Sequence, residues 1–263
     1  MRRLPPLSYF LLLLPFNSRL YSQQQFQLAP PMVKYNSAFF SKADTFTAIF
    51  NQPGTGIYYT LDGKEPTISD LRYSKPVVIT KPGNVKIRTI GQGYLPSDII
   101  SVDFIQAGLT IEKAEFSKPN ESYANAKPDM LIDNIGGIPN YRSGSWIGYD
   151  SDSVEINISL AGNQNINSVL LDMLEDENSW IFLPEKMLVY YFDQSKNDYV
   201  QLAEKNYADE KLARKRCVAE EIKILGITTD KLKLVLLTVK TIPDWHAGKG
   251  KHGWLFIDEL KVY

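Results

Sequence analysis

Two polar loops combine tryptophan with side chains that can form hydrogen bonds. Their residues are Glu175, Asn178 and Trp180 in the first loop and Asp244, Trp245 and His246 in the second. An indole ring offers a flat apolar surface, and the other four side chains can donate or accept hydrogen bonds. A sugar ring needs both kinds of contact, one for its C–H faces and one for its hydroxyl groups. The pattern predicts one shallow carbohydrate site, provided that the fold brings the two loops together.

These residues also have plainer interpretations. Trp180 precedes the apolar run Ile181–Leu183 and can cap a hydrophobic core instead of meeting a ligand. His246 can orient its own loop through hydrogen bonds, and the acidic run Glu175–Glu177 can be a solvated loop. Exposure of the aromatic loop residues in one patch would favour sugar binding, whereas their burial would favour a scaffold.

The sequence offers no convergent pair of catalytic groups. Asp258 and Glu259 are adjacent on a predicted strand, so their side chains should point to opposite faces and cannot flank one glycosidic bond. The two histidines, His246 and His252, lack the spacing of zinc ligands to cysteine or acidic residues. The run Gly248–Gly253 leads into a strand rather than a helix, which indicates a flexible basic loop and not a phosphate loop. We therefore predict a binding protein and not an enzyme.

Composition narrows the class of protein further. The chain has 263 residues, of which 44% are apolar, and this is enough for two ordinary domains. A formal net charge of −1 provides no basic surface for nucleic acid. The single cysteine, Cys217, excludes an intrachain disulfide and is expected to be a buried thiol. Trp146 and Trp254 lie in or beside predicted strands and are expected in the core.

Residues 1–22 differ from the rest of the chain. Arg2 and Arg3 precede the apolar run Leu7–Phe16, and the small residue Ser22 stands at the expected cleavage point. This is the pattern of a secretory signal peptide, and the run is too short for a transmembrane helix. No cysteine stands at the cleavage point, as a lipoprotein would require, and no other segment can span a membrane. The sequence predicts a secreted or periplasmic protein.

A first β domain is predicted over residues 33–107, after a Gln- and Pro-rich linker at residues 23–32. The runs Phe46–Phe50 and Ile57–Leu61 alternate apolar and polar residues with period two. Asp62-Gly63 is a turn signal directly after the second run. Further short strands follow, and the pattern is typical of a small immunoglobulin-like sandwich.

The second domain is predicted over residues 109–263 and is also built of strands. The runs Val154–Leu160 and Val169–Met173 alternate in the same way, and Ala161–Asn163 between them is typical of a turn. Since no βαβ rhythm is present, we expect antiparallel strands and an all-β protein.

Both halves resemble domains of secreted bacterial family 20 β-hexosaminidases. The stretch Gly56–Thr67, followed by Tyr73–Pro76, is similar to the chitobiase/β-hexosaminidase C-terminal domain, an immunoglobulin-like spacer module. The second half resembles the discoidin-like (factor V/VIII type C, galactose-binding-like) domain in four segments, which are Leu131–Asn134, Ser145–Tyr149, Ser179–Pro184 and Pro243–Val262. It departs from that family at Asn134, where glycine is usual, and in the loop Gly136–Ser143. The resemblance implies an immunoglobulin-like sandwich followed by a discoidin-like jelly-roll β-sandwich.

The resemblance also bears on function. The catalytic barrel of the hydrolase takes roughly 250 residues by itself, which leaves no room for it here, so only the accessory role is carried over. That role is non-catalytic binding of a glycan that contains N-acetylhexosamine or galactose. Two alternatives stay open: a structural module that packs on a separately encoded glycoside hydrolase, and a fragment of such an enzyme.

The resemblance further implies one structural calcium ion. Asp133 and Glu259 occupy the matching positions, and carbonyl groups of Asn134–Gly137 and of Asp258 can complete the oxygen shell that calcium prefers. In the alternative interpretation, Asp133 caps a turn and Glu259 pairs with a lysine.

Overall fold

The computed structural model describes residues 25–123, 129–207 and 215–263. The predicted signal peptide, residues 1–22, lies outside the described residues. The described part of the chain forms fifteen strands and two short 3-10 helices, so the predicted all-β class is confirmed. None of its helices has the length and apolar character needed to cross a membrane.

The first eight strands form a small two-sheet sandwich. They are β1 (Met32–Lys34), β2 (Phe39–Phe40), β3 (Asp44–Ile49), β4 (Thr55–Thr60), β5 (Leu71–Arg72), β6 (Val77–Ile79), β7 (Gly83–Gly91) and β8 (Ile100–Gln106). One sheet has the order β1-β3-β6 and the other the order β2-β8-β7-β4-β5. Phe46, Ile87 and Phe104 are fully buried between them. Gly63 has φ +76°, which is the left-handed conformation that the predicted Asp-Gly turn requires.

The remaining strands form one seven-stranded sheet. They are β9 (Ile111–Phe116), β10 (Ile147–Tyr149), β11 (Ser153–Asp176), β12 (Lys186–Asp193), β13 (Asp198–Asn206), β14 (Lys215–Leu237) and β15 (Leu255–Val262). The order is β10-β15-β11-β14-β12-β13, with β9 on the first half of β11. The short 3-10 helices are Glu121–Tyr123 and Glu177–Ser179.

The long antiparallel pair of β11 and β14 turns this sheet into a sandwich. The first half of β11 pairs with β9 and the second half with β15, so β11 belongs to both layers. Register shifts lie between Ser159 and Gln164 and between Ile166 and Ser168, and such bulges bend a strand at the corner between two layers. The prediction of a turn at Ala161–Asn163 is therefore wrong, because Gly162 at φ +76° absorbs the bend within one strand. Apolar residues of both halves share one core.

This bend determines where the loops emerge. β11 and β14 are antiparallel, with Asp176 opposite Lys215 and Ser153 opposite Leu237. A bend in the middle of this strand pair brings both of its ends to the same end of the sandwich. The segments 177–185 and 238–254, which follow β11 and β14, therefore meet there. The C-terminus lies at the opposite end, where the Leu109 N–H donates to the Val262 carbonyl (2.6 Å).

The two sandwiches contact each other near that C-terminus. Ser37 Oγ donates to the Asn134 carbonyl (2.5 Å), and Tyr263 Oη donates to the Gln106 carbonyl (2.7 Å). A Cβ at Gly136 would lie 2.6 Å from the Phe39 ring, so the loop passes that ring too closely for any other side chain. The junction extends from there to Lys215 and Arg216 of β14, which line a cleft together with Tyr35 and Phe39 of the first domain.

Candidate functional site

The fold brings the two predicted loops together. The His246 ring contacts the Glu177 carbonyl through Nε2 (2.8 Å). The Trp254 N–H donates to the Trp180 carbonyl (2.8 Å), and the Phe182 N–H donates to the Trp254 carbonyl (2.9 Å). These contacts make one surface from segments that are far apart in the sequence.

Trp180 is the most exposed aromatic residue of this surface. It is 38% exposed and has φ 64°, a left-handed conformation that is uncommon for a residue with a large side chain. Its ring packs on Gly248, where an added Cβ would lie 2.8 Å from the indole. Glycine at 248 therefore supports the ring from behind, and the rest of the indole faces solvent.

The second loop contributes a half-buried aromatic pair and two exposed polar residues. The Trp245 and His246 rings lie edge to face, 5.4 Å between centroids, and Phe182 lies 5.5 Å from His246. Asp244 is exposed, and so is Asn178 on the first loop. The structure therefore groups Trp180, Trp245, His246, Asp244 and Asn178 on the two meeting loops.

His246 is held entirely by its own loops. The Gly248 N–H donates to Nδ1 (2.9 Å), so Nδ1 carries no proton and Nε2 donates to the Glu177 carbonyl. Both ring nitrogens are used, which leaves none for a sugar hydroxyl. Of the two interpretations of His246, the structure favours loop orientation.

Glu175 differs from the other predicted site residues because it is buried. It is 8% exposed, and Arg216 Nε donates to its Oε2 (2.6 Å). Asp176 and Glu177 are buried as well, so a solvated loop is the wrong description of this acidic run. Glu175 faces a cleft rather than the surface that carries Trp180.

That cleft lies beside the two loops and has a volume of about 440 Å³. Its lining includes Phe182, Pro243 and two ion pairs, Glu175–Arg216 and Glu220–Lys205. Tyr207 also lines it, and its hydroxyl has no hydrogen-bond partner among the described residues. Burial raises the pKa of Tyr207, so the hydroxyl remains a donor. Four residues of this cleft are not predicted from the sequence, namely Lys205, Tyr207, Arg216 and Glu220. The available signal is the presence of charged and aromatic side chains close together in the sequence.

The two tryptophans predicted to lie in the core, Trp146 and Trp254, are buried to different degrees. Trp146 is 3% exposed, and its Nε1 donates to the Ile138 carbonyl (2.9 Å). Trp254 is half-buried, with its ring 5.3 Å from that of Tyr123. Cys217 is a half-buried free thiol whose pKa is raised by burial, so it remains protonated and unreactive.

The predicted calcium position contains a lysine. Asp133 Oδ1 accepts the Ile135 N–H (2.8 Å), and Glu259 Oε1 accepts the Asn134 N–H (2.8 Å). The Lys261 ammonium contacts Glu259 Oε2. In the ranges that the structure describes, no three potential metal-binding side chains are arranged so that they could hold one metal ion. Calcium takes six to eight oxygen ligands, and this donor set does not fit it because a lysine ammonium already contacts Glu259 and too few side-chain oxygens converge.

A bulge in β15 gathers buried carboxyl groups beside this turn. The register with β11 shifts between Leu171 and Met173, so Asp258 and Glu259 stand together opposite Asp172. The strict alternation expected for Asp258 and Glu259 is therefore broken. Burial raises the pKa of Asp172 to about 8, that of Asp258 to about 9 and that of Glu259 to about 7, although Lys261 opposes the last shift.

Comparisons with known proteins show one family-model match and several structural similarities. A family model described as Fn3 associated matches residues 48–104, and no curated protein matches the chain. A solved pectin-binding carbohydrate-binding module is 16% identical, with a TM-score of 0.38 over 59% of this chain and 91% of that chain. A CBM32 module from Clostridium perfringens, in complex with GalNAc-β-1,3-galactose, is 18% identical, with a TM-score of 0.38 over 57% and 94%. A chitosan-binding module from Paenibacillus sp. IK-5 is 14% identical, with a TM-score of 0.38 over 59% and 98%.

Proposed function

We propose that residues 109–263 form a non-catalytic carbohydrate-binding module whose site lies on the two meeting loops. The observation that carries this proposal is Trp180, which is exposed and yet fixed in a left-handed conformation on a hydrogen-bonded loop. An exposed aromatic ring held in one orientation loses little freedom when a flat ligand stacks on it. Strain at a surface residue is a common feature of ligand-binding positions.

The neighbouring groups suit the polar part of a sugar. Asn178 and Asp244 are exposed and can form hydrogen bonds with hydroxyl groups. His246 holds the two loops together through its hydrogen bonds to Glu177 and Gly248. The adjacent cleft extends the surface with paired charges and the Tyr207 hydroxyl. We propose a glycan that contains N-acetylhexosamine or galactose, on the basis of the sequence resemblance.

We further propose that the first domain is a spacer and that the protein acts in the periplasm or the medium; the signal-peptide pattern of residues 1–22 supports the second of these. A glycoside hydrolase, in particular a β-hexosaminidase, is the proposed partner of the accessory module.

A second candidate is an interaction module that packs on such a hydrolase. The observation that favours it is an exposed apolar face on the β1-β3-β6 sheet. Met32 and Ile49 are cross-strand partners and are 61% and 53% exposed, and Val78 on β6 is 60% exposed. Large exposed apolar patches often mark protein contacts.

A glycan array probed with the mature chain, from about Gln23, tests the proposed function. The wild type should retain a set of glycans, and Trp180→Ala should lose most of the signal because it removes the platform. Phe26→Ala, a matched exposed aromatic residue in the N-terminal half, should bind as the wild type does. A folded wild type that retains no glycan would favour the interaction candidate instead.

A further inference from the structure

The last strand, β15, contains a buried ion pair. Glu259 is 0% exposed and Lys261 is 4% exposed. Two residues apart on β15, their side chains lie on the same face of the strand, and the ammonium contacts Glu259 Oε2. A buried charge is unfavourable unless it is paired and hydrogen-bonded, so each of these residues depends on the other.

Glu259 also organises a distant turn. Its Oε1 accepts the N–H of Asn134, which has φ 62°, and the Leu260 N–H donates to the Leu131 carbonyl (2.7 Å). Asp133 closes the turn from within by accepting the Ile135 N–H. The last strand and residues 131–135 are therefore held together by the Glu259 carboxylate and by one backbone hydrogen bond.

Lys261 reaches the first domain as well. Its Nζ lies 5.3 Å from the centroid of the Phe39 ring, within the range of a cation–π contact. Beside this contact, Ser37 Oγ donates to the Asn134 carbonyl. One ammonium group thus contacts the carboxylate that holds the turn and an aromatic ring of the other sandwich.

We propose that the Lys261 ammonium serves as a built-in structural cation, which holds the 131–135 turn on β15 and docks Phe39, so that neither needs a divalent metal. The ammonium contacts Glu259 Oε2, and Glu259 Oε1 accepts the Asn134 N–H. A calcium ion at this carboxylate would compete with the positive charge of the lysine. The proposal does not depend on whether the module binds a glycan.

The test is thermal unfolding of the full mature chain in calcium and in chelator. The wild type should unfold at one temperature in both. Lys261→Met should lower the melting temperature by roughly 6–20 °C, since removing one partner of a buried pair is strongly destabilising. Lys240→Met, which removes a lysine from an exposed pair with Asp152, is the matched control and should change little.

Two further variants separate the charge from the packing. Lys261→Arg should stay insensitive to chelator and melt close to the wild type. Lys261→Ser, which vacates the space beside Glu259, should melt lower in chelator and partly recover in calcium. Amide exchange at Asn134 should accelerate in Lys261→Met and not in Lys240→Met. A wild type whose melting temperature rises in calcium, or a Lys261→Met variant that melts as the wild type does, would overturn the proposal.

Discussion

Tryptophan serves two opposite purposes in this molecule. Trp146 is buried, and its indole N–H donates to the Ile138 carbonyl, so it belongs to the core. Trp180 lies on a hydrogen-bonded loop and is 38% exposed, and Trp245 is half-buried on the other loop. The same side chain therefore stabilises the fold at one position and is available to a ligand at another.

This difference predicts a separation of stability from binding. Trp146→Ala should reduce the free energy of unfolding of the second domain by about 3–5 kcal/mol, because it leaves a cavity. Trp245→Ala should cost much less and should weaken glycan binding. Urea unfolding followed by circular dichroism measures the first effect, and the array measures the second. Equal, severe losses of stability in both variants would show that Trp245 is part of the core.

At the scale of single residues, the sequence predicted the burial of some side chains but not the residues that they contact. The burial of Trp146 follows from its place beside a strand, and it was predicted. The burial of Glu175 was not, because it depends on Arg216, which reaches it only through the pairing of β11 with β14. The role of His246 likewise depends on a backbone carbonyl on another loop.

Among the elements, the antiparallel pair of β11 and β14 does most to position the site. Its bend places both loops at one end, and the bulge in β15 gathers Asp172, Asp258 and Glu259. Alternation predicted the runs on either side of Ala161–Asn163. It could not show that they form one strand, because a bulge with glycine and a turn with glycine have the same local composition.

The buried carboxyl groups predict an unusual pH dependence of stability. The pKa values of Asp172 and Asp258 are raised by burial to about 8 and about 9, from 3.8. Below about pH 4 both groups are protonated in the folded and unfolded states alike. Between about pH 4 and pH 9 the unfolded chain releases protons that the folded chain keeps, so stability falls as the pH rises through this window.

Neutral replacements should remove that fall. Asp172→Asn and Asp258→Asn should melt higher than the wild type at pH 9, with a smaller difference at pH 4. Asp152→Asn, an exposed carboxylate, is the control and should keep the wild-type profile. Calorimetry across this range measures the effect. Parallel profiles for the wild type and both buried variants would contradict the assignment of these groups as protonated in the folded state.

At the scale of the whole molecule, the position of the junction between the two sandwiches decides whether the proposed site is accessible. The two sandwiches meet through Ser37, Phe39 and Lys261 and also line one cleft that reaches Lys215 and Arg216. Trp180 is 38% exposed with both sandwiches present, so the first domain leaves the proposed site accessible. The all-β class was predictable from alternation alone. The junction was not, because its contacts join side chains whose proximity is decided only once both sandwiches have formed.

The central claim is that a glycan stacks on the two meeting loops, and the indole N–H resonances of the four tryptophans test it most directly. A glycan selected on the array is titrated into the labelled mature chain, with each resonance assigned by a Trp→Phe variant. The account predicts saturable shifts for Trp180 and Trp245 and none for Trp146. Saturable binding that leaves Trp180 and Trp245 unshifted would contradict it.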